Sequence, residues 1–533
     1  MQDDPNENHP NQPSHQSNPL AWSPVTDAMR HDQHALVTKQ GNPIDPPDPG
    51  SSISRLIATF AAVVLVLIVV IWQNSSDALK YKYLLGQSEP IVELKPDEPA
   101  PGNFGQIDPI ARMFVRGYGI FNSAPIAESI DPGGASPLIN EDRVRLIMLA
   151  GEYEGEEPAL KRLNDLRSIM LDRSTRPENP IEQDELVIAE LNALETLYTA
   201  GPDALEDTQR DQLTARYGLV AKFALTHGLD DTDPARAPLI DGGTPIILFM
   251  LLAGTVILLA PLLGLIALIF GIVYLATGRL KWRNHVPAKG GSVFLETYGL
   301  FVGAFIVMSV GTFFVLNSSM PELASFSLFV QWLLLLTVLW GLARGMRATN
   351  WRKAIGWHTG EGVFKEIGCG IIAYLATLPL FIAGALVTII LLTVRGIIQT
   401  KMNHGVSPDP EAFSNPIFED IASGNFITIG LIFLLVTTWA PIVEEATFRG
   451  ALYRHLRSSM HWVLAALLSA TLFAFMHSYG PLMVTPIIAL GFMFAFMREW
   501  RGSLIASMTA HFLHNFTLVA FMILFVQLIK DPM

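Results

Sequence analysis

Cysteine is all but missing. The single thiol, Cys369, excludes an intramolecular disulfide and any cysteine-rich zinc or iron–sulfur site. Its apolar surroundings mark it as a small buried hydrophobe rather than a nucleophile. Charge is scarce too: 16% of the 533 residues are Asp, Glu, Lys or Arg, against about 25% in soluble globular proteins. Half of the residues are hydrophobic and the mean hydropathy is +0.35. The polar residues cannot cover a water-facing exterior of this size, so the chain reads as a membrane protein with polar segments attached. Basic stripes are absent and the net charge is −13, which argues against nucleic acid as a partner.

The acid is concentrated. Between Asp77 and Asp241 there are 30 acidic and 16 basic residues, so this stretch holds essentially all the net negative charge and reads as a separate compartment. Residues 1–54 are rich in Asn, Gln, Pro, His, Asp and Ser. Such a composition buries too little apolar area to offset chain entropy, and a disordered tail is expected. It does not open with a basic stretch and an apolar run, so it is not read as a cleavable signal peptide. The run Leu56–Trp72 spans roughly 26 Å as a helix, enough for an uncleaved anchor over 55–73.

Residues 74–243 show helical periodicity in Arg143–Tyr153, Pro158–Asp172, Asp184–Tyr198 and Asp203–His227. Leu186, Glu190, Leu191, Leu194 and Leu197 fit one helix face. A small soluble α-domain is expected here, its Glu and Asp runs forming a solvated surface. Apolar spans resume at 246–276, 293–316, 325–343 and, beyond residue 346, at 368–394, 425–443, 462–478, 482–497 and 503–528. The first contains Pro261 and reads either as one kinked helix or as a re-entrant pair. Counted once, it brings the total to nine.

Loop charge fits that count. Arg279, Lys281 and Arg283, then Arg344, Arg347, Arg352 and Lys353, then Arg449, Arg454 and Arg457, then Arg498 and Arg501 all fall on one side when the N-terminus is cytoplasmic. The acidic segment 74–243 then lies outside. The expected architecture is an all-α polytopic membrane helix bundle of about nine spans, with an extracytoplasmic α-helical domain inserted after the first span. Residues 244–345 form one group of transmembrane helices and 346–530 another.

Ionisable groups inside apolar spans cost about 2.5–3.5 kcal/mol each at mid-helix, and four places carry them. The first is Glu444-Glu445-Ala-Thr-Phe-Arg449. Glu445 and Arg449 are four apart and pair on one face. Glu444 points about 100° away, has no local partner, and suits a general base. The second is Phe473-Ala-Phe-Met-His477. The third is Ser503 to Asn515, where His511 and Asn515 share a face and make a donor pair able to hold an oxyanion; His514 lies off that face. Glu296 has no partner by spacing and reads as structural. Alone, each has an ordinary explanation: an interfacial ion pair, a packed histidine, interhelical hydrogen bonds. Together they supply one free carboxylate, two imidazoles and an amide, enough to activate water and stabilise an oxyanion in acyl-bond hydrolysis. Glu444, His477 and His511 are also the ligand types of a divalent metal such as zinc. The His-Glu-x-x-His helix and the Gly-x-Ser-x-Gly elbow do not occur.

Glu-Glu-x-x-x-Arg, Phe-x-x-x-His and Ser-Leu-…-His-x-x-x-Asn, in that order, resemble the CPBP (Abi) intramembrane proteases, which include the type II CAAX prenyl endopeptidases. Ala440-Pro441 and Phe448-Arg449-Gly450 fit the wider first motif. The resemblance covers about 425–520 and leaves 1–345 unexplained. It implies a membrane endopeptidase acting on membrane-associated protein or peptide substrates, in a prokaryotic inner membrane. Glu444 would activate water with His477, His511 and Asn515 would hold the oxyanion, and Glu445 and Arg449 would support them. Family members are described both as metal-dependent and as glutamic enzymes, so the metal stays open, as do substrate identity and oligomeric state. Prenylated substrates are not carried over. The rival reading is a non-catalytic membrane scaffold or bacteriocin-immunity-type protein whose polar groups only pack helices. A transporter fits less well, because the hydropathy shows no inverted repeat. One conflict stands: with α-helices as drawn, Glu444 and His477 lie at opposite membrane depths.

Overall fold

A computed structural model of the chain describes residues 37–38, 40–75, 80, 83–84, 140–174, 181–240, 243–318, 327–402, 421, 426–477 and 479–529. The described architecture is all-α, with one two-residue parallel strand pair, β1 (Ile44–Asp45) and β2 (Val286–Pro287). Six helices are long and apolar enough to cross a membrane.

The first is α1, Ser52–Asn74. Its start is set by a capping box: Ser51 Oγ accepts from Ser54 N at 3.0 Å, and Ser54 Oγ accepts from Ser51 N at 2.8 Å. Residues 40–51, expected as part of a disordered tail, are instead docked. Asn42 is fully buried and donates to Asn284 O at 3.0 Å. Asp48 pairs with Arg454 at 2.8 Å. Polar partners more than two hundred residues away hold this segment, and apolar content alone cannot reveal them. Residues 1–36 of the expected tail lie outside the described residues.

Four amphipathic helices follow: α2 (Asn140–Tyr153), α3 (Glu156–Ser174), α4 (Ile181–Ala200) and α5 (Asp207–Ala224). Ile147, Met148, Leu163, Leu194, Val220 and Phe223 belong to their shared core. The reading of all acids here as solvated surface is corrected. Glu190 is buried and takes hydrogen bonds from Arg216 and Tyr217. Glu152 takes His227 at 2.7 Å and Arg236 at 2.8 Å. Asp142 pairs with Arg145 at 3.0 Å.

The run with Pro261 is one continuous helix, α6 (Gly243–Ala276), and not a re-entrant pair. Next come α7 (Val293–Leu316), α8 (Ala348–Ile355) and α9 (Val363–Met402). The expected span 325–343 is broken into short turns, including a 3₁₀ stretch at Gln331–Leu334. Trp351 Nε1 donates to the Val338 carbonyl at 3.2 Å beside this break. Glu296 on α7 finds its partners there: Ser292 at 2.6 Å, Trp340 at 2.8 Å and Arg344 at 3.0 Å.

The last four are α10 (Phe426–Arg457), α11 (Trp462–Ala474), α12 (Thr485–Arg501) and α13 (Ile505–Ile529). Here α11, with 13 residues, like the broken 325–343 stretch, falls short of the length of a full span. α9 packs against α6, α12 and α13, and α10 is held by α7, α11 and α13. Cys369 on α9 is half-buried rather than buried.

The end of α10 resolves the depth conflict. The helix does not stop at Val443 but runs through Glu444 to Arg457. The charges after Val443 read as a loop, yet Arg449, Arg454 and Arg457 are all buried. Arg454 meets Asp48, and Arg457 meets Glu499 at 2.8 Å. After the short turn at 458–461, the 13 residues of α11 run back along this buried stretch. They deliver Phe473 and His477 to the level of Glu444.

Candidate active site

The site is built around an irregular helix. Within α10, two π-helical stretches, Leu435–Trp439 and Glu445–Leu452, flank Ala440–Glu444. Such bulges shift the side-chain register and free backbone carbonyls. In the i→i−5 register of the first, the Val436 carbonyl would be served by residue 441, which is proline and has no N–H. Asn515 Nδ2 on α13 donates to that carbonyl instead, at 2.8 Å. In the second, Ser469 Oγ on α11 donates to Phe448 O at 3.0 Å. The two irregular turns are thereby stitched to both neighbouring helices.

Glu445, Arg449 and His511 form the buried part of the site. Glu445 and Arg449 have no solvent exposure. Glu445 Oε1 lies 3.0 Å from Arg449 Nη1 and 3.1 Å from His511 Nδ1. A carboxylate can only accept, so His511 Nδ1 carries a proton and its Nε2 turns to Glu444 Oε2, 3.7 Å away. Aromatic rings sheath the cluster. The Arg449 guanidinium sits 4.3 Å from the Phe473 ring and 5.1 Å from Phe494. His511 stacks on Phe494 at 5.1 Å. Arg449 Nη2 donates to Gly491 O at 3.2 Å. A side chain at Gly491 would put its Cβ 3.0 Å from both Ala470 and that Nη2, so glycine allows α12 to come this close.

Glu444 is placed differently. Its side chain keeps 21% exposure and lines a cavity of about 120 Å³ shared with His477. Phe301, Phe448 and Phe473 make apolar walls, and Gln331 and Trp439 also border it. His477 donates Nδ1–H to Phe473 O at 3.1 Å, which leaves Nε2 as its uncommitted nitrogen. The Phe473 ring stands between the two imidazoles, 5.0 Å from His477 and 5.9 Å from His511.

The structure thus brings together Glu444, Glu445, Arg449 and His511, and sets His477 in the same cavity as Glu444. Asn515 lies one turn beyond His511, with one amide hydrogen spent on Val436. His514 packs 5.3 Å from the Phe381 ring, on the α9 side. Sequence reasoning missed Gln331, Trp439, Gly491 and Phe494. For Gln331 the available signal was a lone carboxamide in an apolar run. Among the described residues no three His, Cys, Asp or Glu side chains are placed to hold a metal ion.

Residues 426–517 match the family model described as Type II CAAX prenyl endopeptidase Rce1-like. This segment is an Rce1-like domain. The match starts at the first residue of α10 and ends inside α13, so the Rce1-like domain contains Glu444, His477, His511 and Asn515 and excludes α1–α9. With its six apolar helices, the chain is an integral membrane protein carrying a CAAX-type intramembrane protease domain. Neither a curated protein nor a solved structure matches it.

Proposed function

We propose that the Rce1-like domain hydrolyses peptide bonds of membrane-associated protein or peptide substrates with Glu444 as general base. Glu444 takes a proton from a water in the cavity, with His477 Nε2 as the second acceptor that orients it. The water oxygen attacks the scissile carbonyl. For this step His511 is an imidazolium, with Nδ1–H on Glu445 and Nε2–H, together with the second amide hydrogen of Asn515, on the resulting oxyanion. Glu444 returns its proton to the leaving amine, and the carbonyl re-forms as a carboxylic acid. Glu445 and Arg449 fix the orientation of His511. In this reading the N-terminus is cytoplasmic and α2–α5 lie on the opposite side, which follows from Arg279, Lys281 and Arg283 after α6.

The observation that carries the proposal is the division of labour between adjacent carboxylates. Glu445 is consumed by Arg449 and His511, whereas Glu444 faces a cavity together with an imidazole. A scaffold accounts for the first carboxylate but gives no reason for the second. The test is to profile protein termini in membranes of cells expressing the wild type or Glu444→Ala at equal level. Loss of a specific set of new termini in the variant is expected. Identical profiles, with a deletion phenotype persisting, would return the polar cluster to a packing role.

A further inference from the structure

The cavity that holds Glu444 and His477 has a polar group in its lining that the proposed chemistry does not use. Gln331 lines it, half-buried, and its carboxamide has no hydrogen-bond partner among the described residues. The wall around it is apolar: Phe301, Phe305, Met308 and Leu334. An amide set among such neighbours is costly unless something completes its hydrogen bonds. A second group points the same way. The indole N–H of Trp439, on the same cavity lining, is buried and has no acceptor.

The backbone beneath Gln331 is irregular as well. Gln331 opens the 3₁₀ stretch Gln331–Leu334 in the broken segment between α7 and α8. Non-helical backbone at membrane depth is tolerated where it lines a cavity or is buried in protein. A primary carboxamide has the donor and acceptor of a peptide group. It can therefore complete the N–H and C=O of an extended strand, which a bilayer leaves unsatisfied.

We propose that Gln331 is a substrate-binding residue that pairs with the backbone of an extended peptide beside the scissile bond. It lies outside the matched residues 426–517, so the helices preceding the Rce1-like domain contribute directly to substrate recognition. This rests on the protease reading above.

The test uses the full-length protein in proteoliposomes and a quenched fluorogenic peptide, chosen from a library because the wild type cleaves it. Gln331→Leu, at unchanged unfolding temperature, is expected to raise KM about tenfold with kcat within about twofold, the pattern of lost uniform binding. Ester replacement of successive peptide bonds in the reporter adds a second readout. One ester position should cost the wild type about tenfold in kcat/KM and cost Gln331→Leu nothing further. An unchanged KM in folded Gln331→Leu, or ester effects identical in both proteins, overturns the proposal. If Gln331→Leu misfolds, Gln331→Met keeps the side-chain length and is read the same way. Glu444→Gln runs alongside. If it cleaves like the wild type, the protease reading has failed; if it is inactive while Gln331→Leu keeps its KM, only this inference has.

Discussion

Among the described residues, the buried charges of α2–α5 and those at Glu444–Arg449 on α10 are finished differently. In the first, both oxygens of Glu152 and both of Glu190 are met by protein donors. In the second, Glu445 Oε1 serves both Arg449 and His511 while its Oε2 is buried without a partner among the described residues, and Glu444 looks into a cavity. Carboxylates with both oxygens met tie helices together. An incomplete one beside a cavity is a place where a further molecule is expected, because unmet polar groups are costly in a low-dielectric interior.

Substitutions can break this contrast. The largest effect on folding belongs to Glu445→Ala, which leaves Arg449 buried and uncompensated. A loss of about 3–5 kcal/mol is expected, read as a collapse of the unfolding temperature in detergent, with activity lost as a consequence. Glu190→Ala leaves the buried Arg216 without its carboxylate and should cost about 3 kcal/mol. Denaturation measured by probes within residues 140–240 would show it, and peptide cleavage by the remaining folded protein should be unchanged. Gly450→Ala would set a Cβ 2.4 Å from Ile355 Cγ1 and 3.0 Å from its carbonyl. Overpacking of about 1–3 kcal/mol follows, visible as a lower unfolding temperature with kcat largely retained.

The smallest effect is electrostatic and lies outside the membrane-spanning segments. Hydrogen bonds from Arg501 and Lys365 hold the Glu361 carboxyl down to about 2, from an ordinary 4.5. A depressed carboxylate stabilises the fold above its unfolded-state value and loses that contribution as pH falls toward its folded one. Glu361→Gln should therefore unfold slightly earlier than the wild type at pH 7. The two curves should converge as pH drops below 4. A constant gap across that range would remove Glu361 from the account.

The sequence revealed the apolar runs and the order of the polar residues on α10, α11 and α13, because helical spacing and hydropathy are local properties. It misplaced what depends on distant partners. Arg454 and Arg457 looked like loop charges, since nothing nearby shows that Asp48 and Glu499 neutralise them. That error shortened α10 and created the depth conflict between Glu444 and His477. Residues 40–51 looked disordered for the same reason. Asn515 was read only as an oxyanion donor, and its bond to Val436 follows from a π-helical turn before Pro441 that no periodicity announces.

The central claim is that neighbouring carboxylates on one helix have opposite duties, Glu444 chemical and Glu445 structural. The most direct measurement is to compare Glu444→Gln and Glu445→Gln side by side, recording unfolding temperature and turnover of the same quenched peptide in proteoliposomes. The account predicts that Glu444→Gln unfolds like the wild type but turns over about a thousandfold more slowly, while Glu445→Gln unfolds markedly earlier. A Glu444→Gln protein that is folded and cleaves at the wild-type rate would contradict it.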